Sequence, residues 1–255
     1  MTSLVHYSVA GSVARLTLDS PHNRNALSTA LVEQLLQGFS DAADEPGVRA
    51  VVLGHTGGTF CAGADLSEAA GQDPGDIAVD RAREMTKLLR AILELPIPVI
   101  GAIDGHVRAG GMGLVGACDL VVAGSQSTFA LTEARIGVAP SIISLTLLPK
   151  MSPRAAGRYF VTGEKFGAAE AAEIGLITLA ADDVADAVAA LAAEIAKGSP
   201  QGLATSKALT TASILRGFDE RAEDLTRQSA RLFVSDEARE GMMAFLQKRP
   251  PNWVG

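Results

Sequence analysis

The sequence predicts an α/β protein with mainly parallel strand pairing. Three features carry that expectation: β-branched segments alternate with helix-period segments over the first 140 residues, glycine-rich turns separate them, and strands nearly vanish thereafter. VHYSVA (5–10) and SVARLTL (12–18) flank Gly11 and predict a β-hairpin. Ser28 supplies an N-cap, after which Leu31, Val32, Leu35, Leu36 and Phe39 recur at spacings of three and four, predicting an amphipathic helix that ends at DEPG (44–47). RAVVLGH (49–55) predicts a buried strand. A glycine-rich connection, TGGTFCAGADL (56–66), then leads through GQDPGD (71–76), expected to be a flexible loop, into a helix over roughly 78–94 that Pro96 and Pro98 stop. PVIGAIDG (98–105) predicts a strand, RAGGMGLVGACDL (108–120) a glycine turn opening a helix, and DLVVAG (119–124) another strand.

Beyond residue 140 the pattern is almost all helical. Ser152-Pro153 reads as an N-cap with proline at the first helical position, GLITLA (175–180) as a short strand, and helices fill most of 183–247. A boundary is expected near Ser199-Pro200, dividing a core over 1–198 from a helical module over 199–255. The module's apolar positions suit either subunit contacts or a helical layer closing its own core.

Composition narrows the function classes. With 47% hydrophobic and 20% charged residues, the 255-residue chain is expected to pack as an ordinary globular protein. A formal net charge of -7 gives no general basic field, so no nucleic-acid partner is expected and a small-molecule ligand is favoured. The N-terminus lacks a basic region followed by an apolar core, and no uninterrupted apolar run reaches about 18 residues, which argues against export and membrane insertion. Cys61 and Cys118 are far apart in sequence and suit free thiols in a cytoplasmic protein. His6, His22, His55 and His106 are scattered without HxxxH or CxxC spacing, so no metal is expected, and the absence of GxSxG disfavours serine hydrolysis.

Gly111-x-Gly113-x-x-Gly116 matches a dinucleotide fingerprint. Such a site also needs an acidic residue where the following strand ends, to bind the ribose. Here that strand ends in Gly124-Ser125, and Glu133 lies past it, so a nicotinamide-dependent oxidoreductase is the weakest alternative. A glycine turn feeding a helix still presents free N–H groups to an anion or a developing negative charge. Alternatively, Gly110, Gly111 and Gly113 simply permit close packing of helix on strand.

Taken with DGHVRAGGMGL (104–114), the stretch FCAGADL (60–66) resembles the crotonase, or enoyl-CoA hydratase/isomerase, superfamily. NRNALS (23–28), LTEARIGVAP (131–140), TGEKFGAAEAAEIGLI (162–177) and FLQKRPPNW (245–253) extend the resemblance over nearly the whole chain. It implies a spiral of ββα units with a C-terminal helical module, assembled as a homotrimer or homohexamer. It further implies that the N–H groups of Ala64 and Gly110 grip the thioester oxygen of an acyl-CoA substrate, so that CoA is part of the substrate and no separate cofactor is needed. Arg24, Ala26, Ala62, Asp65 and Leu66 are implied to line the CoA site, with Phe245 and Lys248 reaching the nucleotide from the C-terminal region of the same or a neighbouring subunit.

Family hydratases carry two glutamates, and the first of those positions is Gly113 here. The second matches Glu133, set among Phe129, Leu131 and Ile136, where desolvation would raise its pKa towards neutrality. A lone carboxylate can relocate a double bond by taking a proton from one carbon and returning it to another, while adding water is easier with two. That chemistry leans towards an isomerase, whereas the overall segment pattern, including GHVRAGGMGL and RIGVAP, resembles bacterial enoyl-CoA hydratases. The expectation is 2-enoyl-CoA hydration in fatty-acid or related acyl-CoA degradation, with a single-glutamate Δ3-Δ2-enoyl-CoA isomerase and a non-catalytic acyl-CoA-binding paralogue as alternatives. Glu68, Asp73, Asp76 and Arg108 are candidates for further polar groups near the acyl site, and Glu133 could instead cap a turn or pair with Arg135.

Overall fold

The computed structural model describes residues 3–65 and 74–255. Strands β1 (Val5–Ala10) and β2 (Val13–Leu18) form the expected antiparallel hairpin, turning at Gly11 with φ +60. Helix α1 (Thr29–Asp44) starts where Ser28 Oγ accepts the Leu31 N–H at 3.3 Å, a side-chain cap for an otherwise orphaned donor. It buries Leu31, Val32, Leu35 and Phe39, the stripe its spacing marked out. Next come β3 (Ala50–His55), β4 (Thr59–Cys61), α2 (Pro74–Glu94), β5 (Val99–Ile103), β6 (His106–Arg108), α3 (Gly110–Ala117), β7 (Leu120–Gly124) and β8 (Thr128–Ala130). A 3-10 turn (Glu133–Ile136), α4 (Ser144–Leu147), α5 (Pro153–Thr162), β9 (Phe166–Gly167), α6 (Ala168–Glu173) and β10 (Leu179–Ala181) follow, before α7 (Val184–Ile195), α8 (Pro200–Phe233) and α9 (Asp236–Leu246).

Two sheets organise these elements. The larger has the order β1-β2-β3-β5-β7-β10 and is parallel apart from the β1–β2 hairpin. The smaller, β4-β6-β8-β9, is parallel except at β8–β9. Strands β1 and β2 both join the large sheet, after which β3-β4, β5-β6 and β7-β8 each give one strand to the large sheet and one to the small. A helix follows in β1-β2-α1, β3-β4-α2 and β5-β6-α3, so the expected ββα spiral is what forms. The central strands β3, β5 and β7 are buried on both faces, as parallel strands are. Val51, Leu53, Val99 and Ile103 face the main core with Phe39, Phe60 and Phe129, whereas Val52, Ile100 and Val122 meet Val188 and Ala192 of α7.

Three expectations change. The second sheet was not anticipated: its strands are two or three residues long, too short to display a period of two, and β4 lies inside what read as a glycine-rich connection. The loop expected at 71–76 is helical from Pro74, so α2 begins four residues early, with proline tolerated in a first turn that needs no N–H. Residues 71–73 lie outside the described residues. Ser152 occupies the cap position of α5 but makes no side-chain cap bond; its own N–H donates to Ile174 O at 2.9 Å instead.

Helix α8 starts at the Ser199 cap, and its Ile214 and Phe218 belong to the main core. Lys207 fixes it there: Nζ lies 2.7 Å from Asp119 Oδ2 and donates to Ile92 O at 2.8 Å and Ile97 O at 3.1 Å. The lysine side chain is only 3% exposed. Removing one member of such a pair strands the other charge in a poorly solvating place. Lys207→Met is therefore expected to cost about 3–5 kcal/mol of folding stability, read by urea unfolding. A loss below 1 kcal/mol would show that Asp119 is well solvated without its partner.

Candidate active site

Two turns abut to form the floor of the site. In the first, Arg24 and Asn25 adopt left-handed backbone (φ 59 and 53), which carries residues 24–27 alongside 62–65. Ala62 N–H donates to Arg24 O at 3.1 Å, Leu27 N–H to Gly63 O at 2.7 Å and Asp65 N–H to Leu27 O at 3.2 Å, pairing Leu27 with Ala64 as an isolated parallel bridge. Buried Asn25 secures this turn: its Oδ1 accepts Ser20 N–H, and its Nδ2 donates to Thr56 O and Thr59 O. Nothing about Asn25 in the sequence set it apart from its neighbours. Asp65 accepts Asn23 Nδ2 on its carboxylate and Arg81 Nη1 on its carbonyl, tying the turn to α2.

The second turn precedes α3. Ala109 has φ 46 and ψ -120, a conformation that glycine holds readily and alanine only when its surroundings enforce it. A side chain on Gly63 would put its Cβ 2.7 Å from Ala109 Cβ and 3.2 Å from Gly110 N, so the absence of one lets the two turns touch. Among the described residues, no acceptor is bonded to the N–H of Ala64 or of Gly110. Gly110 begins α3, whose first N–H groups have no partner within the helix.

Both positions line one cavity of about 530 Å³. Ala62, Ala64, Asp65, Gly110, Glu133 and Phe245 all border it, whereas Arg24, Ala26, Gly113 and Lys248 do not. Leu66 lies outside the described residues, as do Glu68 and Asp73 and the side chain of Asp76. From the C-terminal segment, Arg249 and not Lys248 reaches the cavity. It forms a two-pronged ion pair with Glu240 at 2.6 and 2.9 Å, which holds that carboxyl down at about 2. Phe245 is 60% exposed, so this wall is open on one side. The remaining lining is mostly apolar: Leu27, Val32, Met85, Ile142, Ile143 and Phe233. Ala78, Arg81, Ala82 and Met85 of α2 border the cavity as well; the sequence predicted the helix there but not that this face turns towards a cavity.

Glu133 stands on the 3-10 turn that Gly137 closes in left-handed conformation (φ 78). It is 8% exposed, and its Oε2 is buried with no hydrogen-bond partner among the described residues. Burial pushes its pKa up to about 7. Arg135 does not pair with it and donates instead to Thr162 O. An unpartnered buried carboxyl is costly for a fold, and it faces a cavity where a reacting group can complete its bonding. At Gly113, where a second carboxylate would stand, an added Cβ would meet Ile143 Cγ2 at 2.5 Å and Met85 Cε at 3.0 Å. That space is already filled by hydrocarbon.

Elsewhere the reactive residues are occupied. His6 pairs with Asp19, His55 Nε2 accepts Asp104 N–H, and His106 meets Thr128. Cys61 and Cys118 are buried, with thiols pushed up to about 12. Among the described residues no cluster could hold a metal ion, and no helix is long and apolar enough to cross a membrane.

An α/β spiral with paired glycine turns beside a buried carboxyl defines a class shared with known proteins. An enoyl-CoA hydratase structure from Mycobacterium avium superposes with a TM-score of 0.94 at 66% identity, covering 100% of each chain. The enoyl-CoA hydratase EchA19 of Mycobacterium tuberculosis is 32% identical over 255 residues (95% of this chain, 93% of that protein), and the carnitinyl-CoA dehydratase of Proteus mirabilis is 32% identical over 265 residues, covering 100% of both. The enoyl-CoA hydratase/isomerase family model matches residues 8–255. The chain belongs to that family.

Proposed function

We propose that the protein hydrates 2-enoyl thioesters of coenzyme A, the thioester oxygen resting between the N–H groups of Ala64 and Gly110 while Glu133 moves the proton. The observation that carries this is the Glu133 carboxyl: buried, unpartnered at Oε2, with a pKa about 7, and bordering the same cavity as both donors. Ionised Glu133 takes a proton from water as the water oxygen bonds to the β-carbon. The electron pair of the double bond passes to the thioester oxygen as an enolate, which the two N–H groups stabilise; donors of this kind are each worth about a hundred- to a thousandfold in rate. The carbonyl then re-forms as the α-carbon takes the proton from the Glu133 carboxyl, leaving a 3-hydroxyacyl thioester and the carboxylate as it began. The hydratase and dehydratase names of the relatives support chemistry that adds or removes water.

Ile143 favours a second reading. With its side chain and that of Met85 where a second carboxylate would stand, Glu133 faces hydrocarbon on that side, and one proton carrier is enough for moving a 3-enoyl double bond into conjugation. The CoA moiety is proposed to lie along Arg24, Ala26, Ala62, Asp65 and Leu66. Phe245 and Lys248 would reach it from the C-terminal region, in a homotrimer or homohexamer in the cytoplasm, with no further cofactor.

The test is to incubate the protein and Glu133→Gln with trans-2- and 3-enoyl-CoA esters, following mass and the ultraviolet absorbance of the conjugated thioester. Hydration adds the mass of water and lowers the absorbance of a 2-enoyl ester, which supports the first reading. Rising absorbance at constant mass from a 3-enoyl ester replaces it with isomerisation. Tight binding without turnover overturns both in favour of a non-catalytic acyl-CoA-binding protein.

A further inference from the structure

We propose that Arg108 is a positioning residue for the Gly110 donor, its guanidinium fastening β6 to β8 directly behind the turn that aims that N–H. This rests on the assignment of Gly110 to the thioester oxygen.

Arg108 does not border the cavity. Its fork is spent on the neighbouring strand: Nη1 donates to Val107 O and to Thr128 O, both at 2.7 Å, and Nη2 donates to Thr128 Oγ1 at 2.8 Å. The same hydroxyl shares a hydrogen bond with His106 Nδ1, 2.9 Å away. The guanidinium is half-buried, burial lowers its pKa, and no carboxylate among the described residues lies within ion-pair distance of it. A desolvated arginine without an anion adds little as a charge. As a planar fork that fixes the relative position of two strands it is well suited, and lysine, a point donor, is a poor substitute.

What the fork fixes is the base of the strained turn. Ala109 follows directly at φ 46 and ψ -120, and on its other side the turn rests against Gly63, where an added Cβ would come within 2.7 Å of Ala109 Cβ. Strained backbone persists where its surroundings over-determine it, and here the surroundings are a clamp behind and a glycine in front. If β6 slips on β8, the turn can relax, and the Gly110 N–H swings away from the oxygen it must meet. Peptide donors tolerate little misplacement, about 1 Å costing on the order of a hundredfold in rate.

Arg108→Met, Arg108→Lys and the milder Thr128→Val test this on the ester the protein turns over best. For Arg108→Met, kcat is expected to fall about ten- to a hundredfold with KM within about threefold, with partial rescue by lysine and a smaller loss of the same kind for Thr128→Val. A second readout needs no turnover: the absorption of a bound push–pull cinnamoyl-CoA, which moves to longer wavelength as its carbonyl is polarised. That displacement is expected in the wild type and should be reduced in all three variants, most in the methionine one. Full displacement and unchanged kcat in the variants, whatever their melting temperature, reduces Arg108 to a fold-stabilising role and overturns the inference. No displacement in the wild type overturns the assignment of Gly110 itself, and the inference with it.

Discussion

Glu133→Gln is expected to lower turnover of the natural ester by about a hundred- to ten-thousandfold, the usual worth of a positioned proton carrier, and at the same time to make the fold less sensitive to rising pH. Both effects come from one fact. The carboxyl is buried without a partner at Oε2, so its neutral form is favoured and its pKa rises from 4.5 to about 7. As a base it must be ionised, so wild-type kcat/KM should fall about tenfold per pH unit below pH 7. For stability the sign is opposite. The folded state holds this proton more tightly than the unfolded chain, so the contribution is fully present below about pH 4.5 and is lost as pH rises to about 7. Between pH 5 and pH 8 that loss is about 2–3 kcal/mol, and the glutamine variant should lack it. Urea unfolding of both proteins at the two pH values measures the difference, and constant costs of the amide cancel. Parallel pH dependence of the two proteins would mean that Glu133 titrates near its ordinary value and that its catalytic assignment has lost its physical basis.

Gly241→Ala is the second large effect expected, and it runs against helix propensity. Alanine in a helix interior normally gains about 1 kcal/mol over glycine. Here α9 lies on the turn that carries Glu133, and a Cβ on Gly241 would fall 2.4 Å from Ile136 O and 2.5 Å from Ile136 C, main-chain atoms that cannot rotate aside. The contact is mutual, since a Cβ on Gly137 would lie 2.5 Å from the carbonyl carbon of Glu237. The two glycines interlock the helix and the turn. Accommodating the methyl group requires either α9 or residues 133–136 to move, with a net loss expected of about 1–3 kcal/mol. If the turn yields, the Glu133 carboxyl shifts by several tenths of an ångström or more, and kcat should fall at least about tenfold. Thermal unfolding and steady-state kinetics together decide the matter. A more stable variant with unchanged kcat would show that α9 does not back the turn.

Much of this arrangement was legible in the sequence. The Ser28 cap, the apolar stripe of α1, the hairpin about Gly11 and the strands at 50–55, 99–103 and 120–124 follow from local chemistry: a hydroxyl that caps, a period of three to four, a run of β-branched residues. The two glycine-rich segments could be marked out as well, because only small residues allow backbone to serve as the binding surface. Glu133 was picked out by its match to the family's second glutamate, and its hydrophobic neighbours then implied the desolvation that raises its pKa. Yet the strands of the second sheet were invisible, for three residues carry no pattern and acquire their pairing only from the neighbours that the spiral brings beside them. The same is true of Asn25 as a buried hub, of Arg249 at the edge of the cavity, and of Ile143 filling the space beside Gly113. The sequence by itself determined which groups were available: two stretches of bare peptide and one carboxylate in greasy surroundings. Tertiary structure alone decided that Gly63 would press on Ala109, that Gly241 would brace the turn of Glu133, and that hydrocarbon would occupy the place of a second acid. Those outcomes depend on van der Waals contact between segments tens to a hundred residues apart, which no local pattern encodes.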